Sequence, residues 1–365
     1  MVYTFFAVLG FAWSFSILLR AVSFVRLYLF TPSNLHRYVY RSTIDESSSV
    51  PQTRKEPWAV VTGASDGIGR FLAAELAAAG LNVVLHGRTA AKLEKAQDQL
   101  TKTYPARSFR LLVADAGLVR GAADSTHGLG DDDDGAQVDF VDMIRNVLGD
   151  LHITVLVNNV GGGIKNPLMG DFLEYSARQN TEAVSKESLF AMHLTHTLLP
   201  QLRENGPGGA LVVSVGSMAD VGMPLTAVYS AGKAFNKTLF ESLALEERMD
   251  RTGARKNGKD INNRGEVQIM YVRLGDVTDV TWRRGASSLL MPDACTAARA
   301  ILARVGCRRS VVTAYWAHEL LRLCSAALPI WLHERFLLAI MSGWREVTER
   351  NGGDASASIV GNGFF

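Results

Sequence analysis

The sequence predicts an α/β fold built on a doubly wound parallel sheet, because short apolar runs alternate with longer amphipathic stretches. The apolar runs are rich in Val, Ile and Leu, which is typical of strands that are buried on both faces of a sheet. The amphipathic stretches are typical of the helices that cover such a sheet. Strands are predicted at residues 58–62, 82–85, 108–114, 153–157, 210–215 and 268–272, with the clearest helices at residues 69–79 and 90–103.

The composition allows a large core and excludes several kinds of partner. The chain has 365 residues, of which 47% are hydrophobic, and this is enough for one α/β domain of roughly 250 residues with extensions. The 38 Lys and Arg residues nearly balance the 36 Asp and Glu residues, and no basic stripe carries interleaved aromatic residues, so nucleic acid is not an expected partner. Cys295, Cys307 and Cys324 lack the spacing of a metal or redox motif and are expected to be buried thiols in a reducing compartment.

The first 30 residues are predicted to form a membrane anchor helix. Residues 2–19 contain no charged side chain, and the apolar pattern continues to residue 30 past Arg20 and Arg26, which can extend toward lipid headgroups. A cleaved signal peptide fits less well because the basic residues follow the apolar run, and a buried core helix is the alternative. The same distribution of basic residues predicts that the rest of the protein faces the cytosol.

The rest of the chain is divided by its composition. A polar linker is predicted at residues 31–56, the α/β domain at 57–310, two amphipathic helices at 311–350 and a disordered tail at 351–365. The two helices are expected to meet near Pro329, either on a membrane or over an apolar substrate cleft. Surface insertions are predicted within the domain at residues 117–136 and 250–266. The first insertion contains four consecutive Asp residues, for which a solvated loop is expected and a metal site is the alternative.

A glycine-rich turn joins the first predicted strand to the first predicted helix and indicates a nucleotide site. Gly63, Gly67 and Gly69 permit positive φ and close backbone approach, so that a pyrophosphate can lie against the N-terminus of the helix. About 20 residues later, where sites for NAD carry an acidic residue, this chain has Arg88. Because an arginine can neutralise a 2′-phosphate, NADPH is predicted over NADH, and the alternative for Arg88 is an ordinary solvent-facing residue.

Tyr229 and Lys233 are the candidate catalytic pair. They are four residues apart in a strongly helical stretch and therefore share one face of the helix. A phenol with an ordinary pKa of about 10 is a poor acid at neutral pH, but an adjacent cation and a positively charged nicotinamide lower that pKa. Tyr229 is then able to donate a proton to a carbonyl oxygen while a hydride reaches the carbon. A Tyr/Lys pair at this spacing is common by chance, so its meaning depends on the other motifs.

Four motifs occur in an order that resembles the short-chain dehydrogenase/reductase family. They are T-G-A-S-D-G-I-G at residues 62–69, N-N-V-G at 158–161, a serine before the tyrosine, and Y-S-A-G-K at 229–233. The resemblance implies a single Rossmann-like domain in which Tyr229 is the acid–base, Lys233 holds the nicotinamide ribose and Ser217 orients the carbonyl. The cofactor-binding residues that it implies are Gly63, Ser65, Asp66, Gly67, Ile68, Gly69, Arg88, Asp115, Asn158, Asn159, Tyr229, Lys233 and Val277, and no metal is expected.

Within the family, the apolar termini and the D-G-I-G and N-N-V-G motifs are most similar to the microsomal very-long-chain 3-oxoacyl-CoA reductases and related hydroxysteroid dehydrogenases. That resemblance implies NADPH-dependent reduction of a ketone on a lipophilic substrate, expected to be a 3-oxoacyl-CoA in very-long-chain fatty acid elongation. It also implies an enzyme of the endoplasmic reticulum membrane. The alternatives are a hydroxysteroid or retinol dehydrogenase and a weakly active regulatory protein that binds NADPH and lipid. A homodimer and partners in a lipid-synthesis complex are left open.

The candidate serine is displaced from the family pattern. Ser217 lies twelve residues before Tyr229, where the family has thirteen, and Gly216 takes the usual position. A one-residue deletion within residues 219–223 accounts for the displacement, because loops tolerate changes of length. Ser214 is the second candidate, although it is expected to lie within the strand.

The asparagine that helps to carry protons to the lysine in the family is also replaced. Counting back from the end of its helix leads to Glu187 or Ser188, and a carboxylate at this place alters the electrostatics around Lys233. After the sixth strand, Leu274 precedes glycine where the family has proline, and Asp279 stands where a threonine is common. These departures motivate the regulatory alternative.

Overall fold

The centre of the protein is a seven-stranded parallel sheet with helices on both faces. A computed structural model describes residues 2–40, 55–118, 140–162, 169–204, 208–256, 265–281 and 283–350. The strand order is β3-β2-β1-β4-β5-β6-β7, and every neighbouring pair is parallel. The strands are β1 Pro57–Val61, β2 Asn82–Gly87, β3 Phe109–Val113, β4 His152–Asn158, β5 Ala210–Val215, β6 Val267–Arg273 and β7 Val311–Thr313. The predicted Rossmann-like α/β class is confirmed.

Ten α-helices occur among the described residues. They are α1 Val2–Val25, α2 Gly67–Ala78, α3 Ala90–Thr103, α4 Phe140–Leu148, α5 Ala177–Val184, α6 Phe190–Arg203, α7 Ala227–Lys256, α8 Ala294–Ala303, α9 Trp316–Ala326 and α10 Ile330–Arg350. Several of these helices are capped at the N-terminus by a side chain that accepts a hydrogen bond from a free backbone amide. Asp66 caps α2, Ser176 and Gln179 form a capping box at α5, and Asp293 caps α8.

The six predicted strands are present, with ends that differ by no more than two residues. Strand β7 was not predicted, because three residues at the edge of a sheet give too short a pattern to recognise. Residues 250–256 were expected in a surface loop, but they continue α7. Residues 119–136 of the first predicted insertion, 257–264 of the second, and the tail at 351–365 lie outside the described residues, and the division into domains stays a prediction.

The sheet separates two apolar layers. On one face, α2 and α8 pack with Leu72, Leu76 and Ile301 against the strands. On the other face, α4, α6 and α7 contribute buried side chains such as Ile144 and Phe190. Strands β4 and β5 are buried along their whole length, as the predicted apolar runs require. The carboxyl ends of all seven strands therefore meet at one edge of the sheet, which is where ligands bind in this class of fold.

Helix α1 projects its apolar side chains to the outside. The segment Tyr3–Phe30 has a mean hydropathy of 1.9 and is long and apolar enough to cross a membrane by length and composition. Tyr3, Phe11 and Trp13 are 93%, 73% and 70% exposed. Exposure of this extent disfavours the alternative of a buried core helix, and it is compatible with a membrane anchor.

The residues after α1 pack on the α/β domain. Residues 31–40 were predicted to belong to a polar linker, yet Tyr38 is 1% exposed. Its hydroxyl donates to Oε1 of Gln268 at 2.8 Å, and its carbonyl accepts from the hydroxyl of Thr154 at 2.7 Å. Two residues later, the Tyr40 hydroxyl donates to the carbonyl of Gly209 at 2.6 Å. We call residues 26–40 the strap. Its contacts join β4, β6 and Gly209, the residue before β5.

Candidate active site

The turn between β1 and α2 forms a backbone cradle with no room for side chains. Gly63 and Gly67 have φ values of +67° and +54°, a region that favours glycine. A Cβ added to Gly69 would lie 2.1 Å from the carbonyl oxygen of Gly63. Asp66 caps α2 by accepting a hydrogen bond of 2.8 Å from the amide of Gly67. A cradle that a Cβ would fill, at the N-terminus of a helix, fits the pyrophosphate of a dinucleotide.

Arg88 and Asp115 lie beside this cradle at the ends of β2 and β3. The amide of Ala64 in the turn donates to the carbonyl of His86 at 2.9 Å, which fixes the turn against β2. Both Arg88 and Asp115 are exposed to solvent. The side chain of Ser65 lies close to Gly87, and Ile68 packs on the core under α2. The structure thus gathers the predicted adenosine-binding residues along one edge.

The two asparagines of the N-N-V-G motif have different surroundings. Asn159 donates from its side chain to the carbonyl of Thr62 at 3.0 Å, and its amide donates to the Thr62 hydroxyl at 2.8 Å. The side-chain nitrogen of Asn159 would lie 2.6 Å from a Cβ added to Gly69. The Asn158 side chain instead donates to the hydroxyl of Thr195 on α6 at 2.9 Å. Asn159 therefore contacts the cradle, whereas Asn158 joins β4 to α6.

The loop after β6 closes over the cradle through contacts that were not predicted from the sequence. Arg284 lies 3.1 Å from a carboxylate oxygen of Asp66, and the Thr281 hydroxyl donates to the same carboxylate at 3.1 Å. Val280 faces Gly67, and Val277 is buried. No sequence signal links Asp66 to Arg284, because 218 positions separate them.

Ser217 and Tyr229 meet at the end of β5. Tyr229 lies half-buried in the first turn of α7, and it lines the same pocket as Ser217, whose hydroxyl acts on its phenol. The Ser217 hydroxyl also accepts from the amide of Ala219 at 3.1 Å. Ser214 lies inside β5 at 1% exposure, and its hydroxyl makes no hydrogen bond to any described residue. The geometry favours Ser217 over Ser214.

Tyr271 explains why glycine occupies the family's usual serine position. A Cβ added to Gly216 would lie 2.0 Å from Cζ of Tyr271, so the ring excludes any side chain there. The Tyr271 hydroxyl accepts from the amide of Ser217 at 3.3 Å. The ring on β6 therefore displaces the serine by one residue and holds it in the new place. Tyr271 was not predicted as a site residue, since it reads as an ordinary strand aromatic.

Lys233 is paired with a carboxylate inside the protein. Its Nζ lies 3.2 Å from Oε2 of Glu187, and the two side chains are 5% and 0% exposed. The ammonium also donates to the carbonyl of Val215 at 3.4 Å and lies 5.5 Å from the centre of the Tyr229 ring. Of the two residues considered at the asparagine position, Glu187 is thus the one that meets the lysine.

Glu187 is held by several elements at once. It lies in a π-helical turn, Ser185–Leu189, that joins α5 to α6. The side chain of Asn236 on α7 donates to the backbone carbonyl of Glu187 at 2.5 Å. A Cβ on Gly161 would lie 2.8 Å from the Lys233 ammonium, so the N-N-V-G motif ends directly over the ion pair. Asn236 was missed from sequence because nothing in its helical surroundings marks it.

The charges of the site act on Tyr229 in opposite directions. Burial raises the pKa of the Tyr229 phenol above its ordinary value; Glu187 raises it further, while Lys233 and the hydrogen bond with Ser217 lower it. Burial alone would lower the pKa of Lys233, but Glu187 and Tyr229 together outweigh burial, and the pKa of Lys233 is raised. These shifts favour a charged Lys233 and a protonated Tyr229 at neutral pH.

The family model described as short chain dehydrogenase matches residues 57–127 and 130–252. These residues contain the cradle, the N-N-V-G motif, Ser217, Tyr229 and Lys233. The chain belongs to the short-chain dehydrogenase family. It is accordingly an NAD(P)-dependent dehydrogenase or reductase.

Several curated members of the short-chain dehydrogenase family resemble this chain over most of its length. A very-long-chain 3-oxoacyl-CoA reductase of Meyerozyma guilliermondii is 30% identical over 275 residues, which cover 73% of this chain and 71% of that protein. The protein of the same name in Bos taurus is 29% identical over 290 residues, covering 78% and 79%. In Aspergillus terreus the values are 28% over 274 residues, covering 73% and 67%. The chain is thus a short-chain dehydrogenase most like this group.

Solved structures of short-chain dehydrogenases share the fold. A 7β-hydroxysteroid dehydrogenase has a TM-score of 0.56 at 18% identity and is matched over 78% of this chain and 97% of its own. A short-chain dehydrogenase of Sphingobium yanoikuyae in complex with NADPH has a TM-score of 0.53 at 19% identity, with 80% and 95% covered. At such identities the likeness extends to the fold alone.

A pocket opens beside Ser217 and Tyr229 in this short-chain dehydrogenase. It has a volume of about 190 Å³. Ser217, Tyr229 and Asp276 contribute polar groups to a lining that is mostly apolar. Helix α10 forms the roof, and the ring of Trp344 lies 4.7 Å from the guanidinium carbon of Arg283. The apolar lining residues are Met169, Phe172, Met223, Leu225, Val228, Ile340, Met341 and Trp344.

Proposed function

We propose that the protein is an NADPH-dependent reductase of a ketone on a lipophilic substrate, and that this substrate is a 3-oxoacyl-CoA of very-long-chain fatty acid elongation. The observation that carries the proposal is the meeting of Ser217 and Tyr229 at one wall of an apolar pocket roofed by α10. The polar pair suits a carbonyl, and the remaining walls suit an acyl chain. The names of the curated relatives support the same substrate class.

The side chains divide the work on the carbonyl group. Tyr229 donates its phenolic proton to the carbonyl oxygen, on which negative charge develops in the transition state. The Ser217 hydroxyl donates a hydrogen bond to the same oxygen and thereby orients it. Lys233 would hold the ribose of the cofactor, and its charge stabilises the phenolate that Tyr229 becomes. Bound NADPH supplies the hydride.

The cofactor preference is proposed from the end of β2. His86-Gly87-Arg88-Thr89 contains no carboxylate that would repel a 2′-phosphate, and Arg88 is exposed beside the cradle. A guanidinium forms bidentate hydrogen bonds with phosphate, so Arg88 is the residue that would select NADPH over NADH. Gly63, Gly67 and Gly69 would hold the pyrophosphate.

The location is proposed from α1. The apolar segment Tyr3–Phe30 anchors the enzyme in the endoplasmic reticulum membrane, and the basic residues after it keep the catalytic domain on the cytosolic side. A membrane-bound reductase can draw a long acyl chain from the bilayer, where such chains partition.

A substrate panel tests this function. Full-length protein in nanodiscs is assayed for NADPH and NADH consumption with a long-chain 3-oxoacyl-CoA, a 3-ketosteroid and retinal, in parallel with Tyr229→Phe. The 3-oxoacyl-CoA is expected to be reduced fastest with NADPH, and Tyr229→Phe is expected to lower kcat by at least about 100-fold while it still binds NADPH. Faster NAD-linked oxidation of a sterol or retinol would contradict the substrate and direction. Equal turnover by Tyr229→Phe would contradict the mechanism, and NADPH binding without any turnover would favour the regulatory alternative.

A further inference from the structure

We propose that Glu187 is a positioning residue that acts through Lys233 to keep Tyr229 protonated at neutral pH, and so favours ketone reduction over alcohol oxidation. The inference rests on the proposed function, because it concerns the direction in which Tyr229 works. It assigns a role to the residue that replaces the family's asparagine.

The first support is the geometry of the ion pair. Oε2 of Glu187 lies 3.2 Å from Nζ of Lys233, and the carboxylate side chain is fully buried. Charges buried at this distance interact strongly, because neither water nor salt screens them. The ammonium that stabilises the Tyr229 phenolate therefore has a second anion beside it. The Glu187 carboxylate therefore offsets part of the effect of the ammonium on Tyr229. A negative charge near the phenol disfavours formation of the phenolate.

The second support is that the surrounding structure holds this carboxylate in place. The π-helical turn Ser185–Leu189 places Glu187 at the junction of α5 and α6, and Asn236 holds its carbonyl from α7 at 2.5 Å. A Cβ on Gly161 would lie 2.9 Å from Oε2 of Glu187, and a Cβ on Gly232 would lie 2.7 Å from its Cβ. Both positions are glycine in this chain, so the site leaves room for the carboxylate and little space for it to move.

The balance of charges around the phenol points the same way. Two carboxylates and one ammonium act on Tyr229. One of the carboxylates, Asp276, has its own cationic partner at 3.5 Å and is 43% exposed, so solvent weakens its effect. Glu187 is the buried carboxylate. Its pairing with Lys233 determines how strongly the lysine charge stabilises the Tyr229 phenolate. The charged or titratable groups that face Tyr229 are Lys233 of α7, Glu187 of the π-helical turn, Tyr271 of β6, and Asp276 with its partner Arg283 after β6.

The protonation state of Tyr229 sets the direction that is fast. In reduction, the phenolic O–H bond breaks and its proton forms the new hydroxyl, while the hydride of NADPH forms the new C–H bond. In oxidation, the phenolate must first be present to accept the proton of the alcohol. A phenol that stays protonated at neutral pH is ready for reduction, and it provides little phenolate for the reverse reaction. Removal of Glu187 should lower the pKa of Tyr229 and make oxidation measurable at a lower pH.

The decisive measurement needs no substrate. The phenol of Tyr229 is titrated by NMR in protein labelled with ¹³Cζ-tyrosine, and Tyr229→Phe assigns its signal. In Glu187→Gln the midpoint is expected to fall by at least about one pH unit, which is a tenfold change in the ionisation constant. Glu187→Asp keeps the charge and should retain the high midpoint. The matched control is Glu247→Gln. It removes a carboxylate on the far part of α7, where Glu247 is paired with Arg203 of α6, and should leave the titration midpoint of Tyr229 unchanged.

Kinetics form the second arm. The pH dependence of kcat/KM is measured for reduction of a long-chain 3-oxoacyl-CoA and for oxidation of the matching 3-hydroxyacyl-CoA. Both profiles of Glu187→Gln are expected to move to lower pH by the same amount as the NMR midpoint. An identical midpoint in Glu187→Gln and wild type would overturn the inference. Loss of all reductase activity in wild type, with the titration as expected, would contradict only the proposed function.

A folding defect would not leave the question open. Removal of one partner of a buried ion pair is destabilising, so circular dichroism is recorded for each variant. If Glu187→Gln does not fold, the titration is made on Glu187→Asn, which places the family's asparagine at this position. A midpoint at least about one pH unit below that of wild type supports the inference, and an unchanged midpoint overturns it.

Discussion

The phenol oxygen of Tyr271 donates a hydrogen bond of 3.1 Å to the backbone carbonyl of Lys233. The same oxygen accepts from the amide of Ser217, so one side chain of β6 joins the serine loop to the helix that carries the candidate acid. Tyr271 is fully buried, and water does not compete for either bond. Tyr271 of β6 therefore sets the distance between Ser217 and α7.

Tyr271→Phe should separate these elements without touching the cofactor. We expect a lower kcat with an unchanged dissociation constant for NADPH, and a loss of roughly 1–3 kcal/mol in the free energy of unfolding, because two buried groups lose their partner. Steady-state kinetics and urea denaturation measure both effects. Tyr104→Phe, at a half-buried tyrosine outside the site, is the control. An unchanged kcat in Tyr271→Phe would show that the sheet does not set this spacing.

Arg88→Ala should change the cofactor preference. We expect the affinity for NADPH to fall by about tenfold or more while NADH binding is unaffected, because only NADPH presents a 2′-phosphate to the guanidinium. Fluorescence titration with each cofactor measures the two dissociation constants. Arg145→Ala removes an exposed arginine from α4 and should alter neither value. An equal loss of affinity for both cofactors would assign Arg88 a structural role.

Trp344→Ala should weaken the binding of long acyl chains. The ring lines the roof of the pocket and packs on Arg283, so its removal takes away apolar contact area worth about 1.5–3 kcal/mol when fully buried. We expect KM for a long-chain 3-oxoacyl-CoA to rise by about tenfold, with little change for a short-chain 3-oxoacyl-CoA. Trp331→Ala, at a 57% exposed position of the same helix, is the control. A rise of equal size for both chain lengths would place the acyl chain elsewhere.

His86 should make the protein less stable in weak acid. Burial lowers the pKa of this histidine to about 4, and its ring stacks on Phe190 at 4.6 Å. In the unfolded chain its pKa is about 6.5, so between pH of about 6.5 and about 4 only the unfolded chain takes up the proton. Stability present above that window is lost as the pH falls through it, by up to roughly 3 kcal/mol. Chemical denaturation at several pH values should therefore show a shallower loss in His86→Gln than in wild type.

The control for this prediction is His196→Gln, which replaces an exposed histidine on α6. Burial also lowers the pKa values of His152 and His318, and these residues add the same acid sensitivity to every variant. The comparison of slopes isolates His86. A slope in His86→Gln that matches wild type would contradict the prediction.

The parts of the fold that the sequence predicted are those with local signals. The buried strands repeat β-branched residues, the glycine turn is set by its own backbone, and Tyr229 and Lys233 are neighbours on one helix. Contacts between distant residues were not predictable in this way. Arg284 closes over Asp66, and Asn236 holds the π-helical turn at Glu187, only because the folded chain brings them together. The packing of residues 31–40 on the domain was not predicted, because the buried ring of Tyr38 lies among polar residues.

The strap fixes the position of the α/β domain relative to the end of α1. Tyr28, at the end of the apolar segment, donates to the carbonyl of Thr313 at 2.7 Å, and Tyr38 is bound under β4 and β6. The catalytic domain is therefore attached directly to the end of the apolar segment, with no free linker between them. If α1 lies in a bilayer as proposed, tilting of the helix would tilt the sheet with it and would change the direction of the pocket mouth relative to the lipid. A soluble form should accordingly be cut before the strap, near residue 26, since a cut after residue 40 removes part of the domain's own packing.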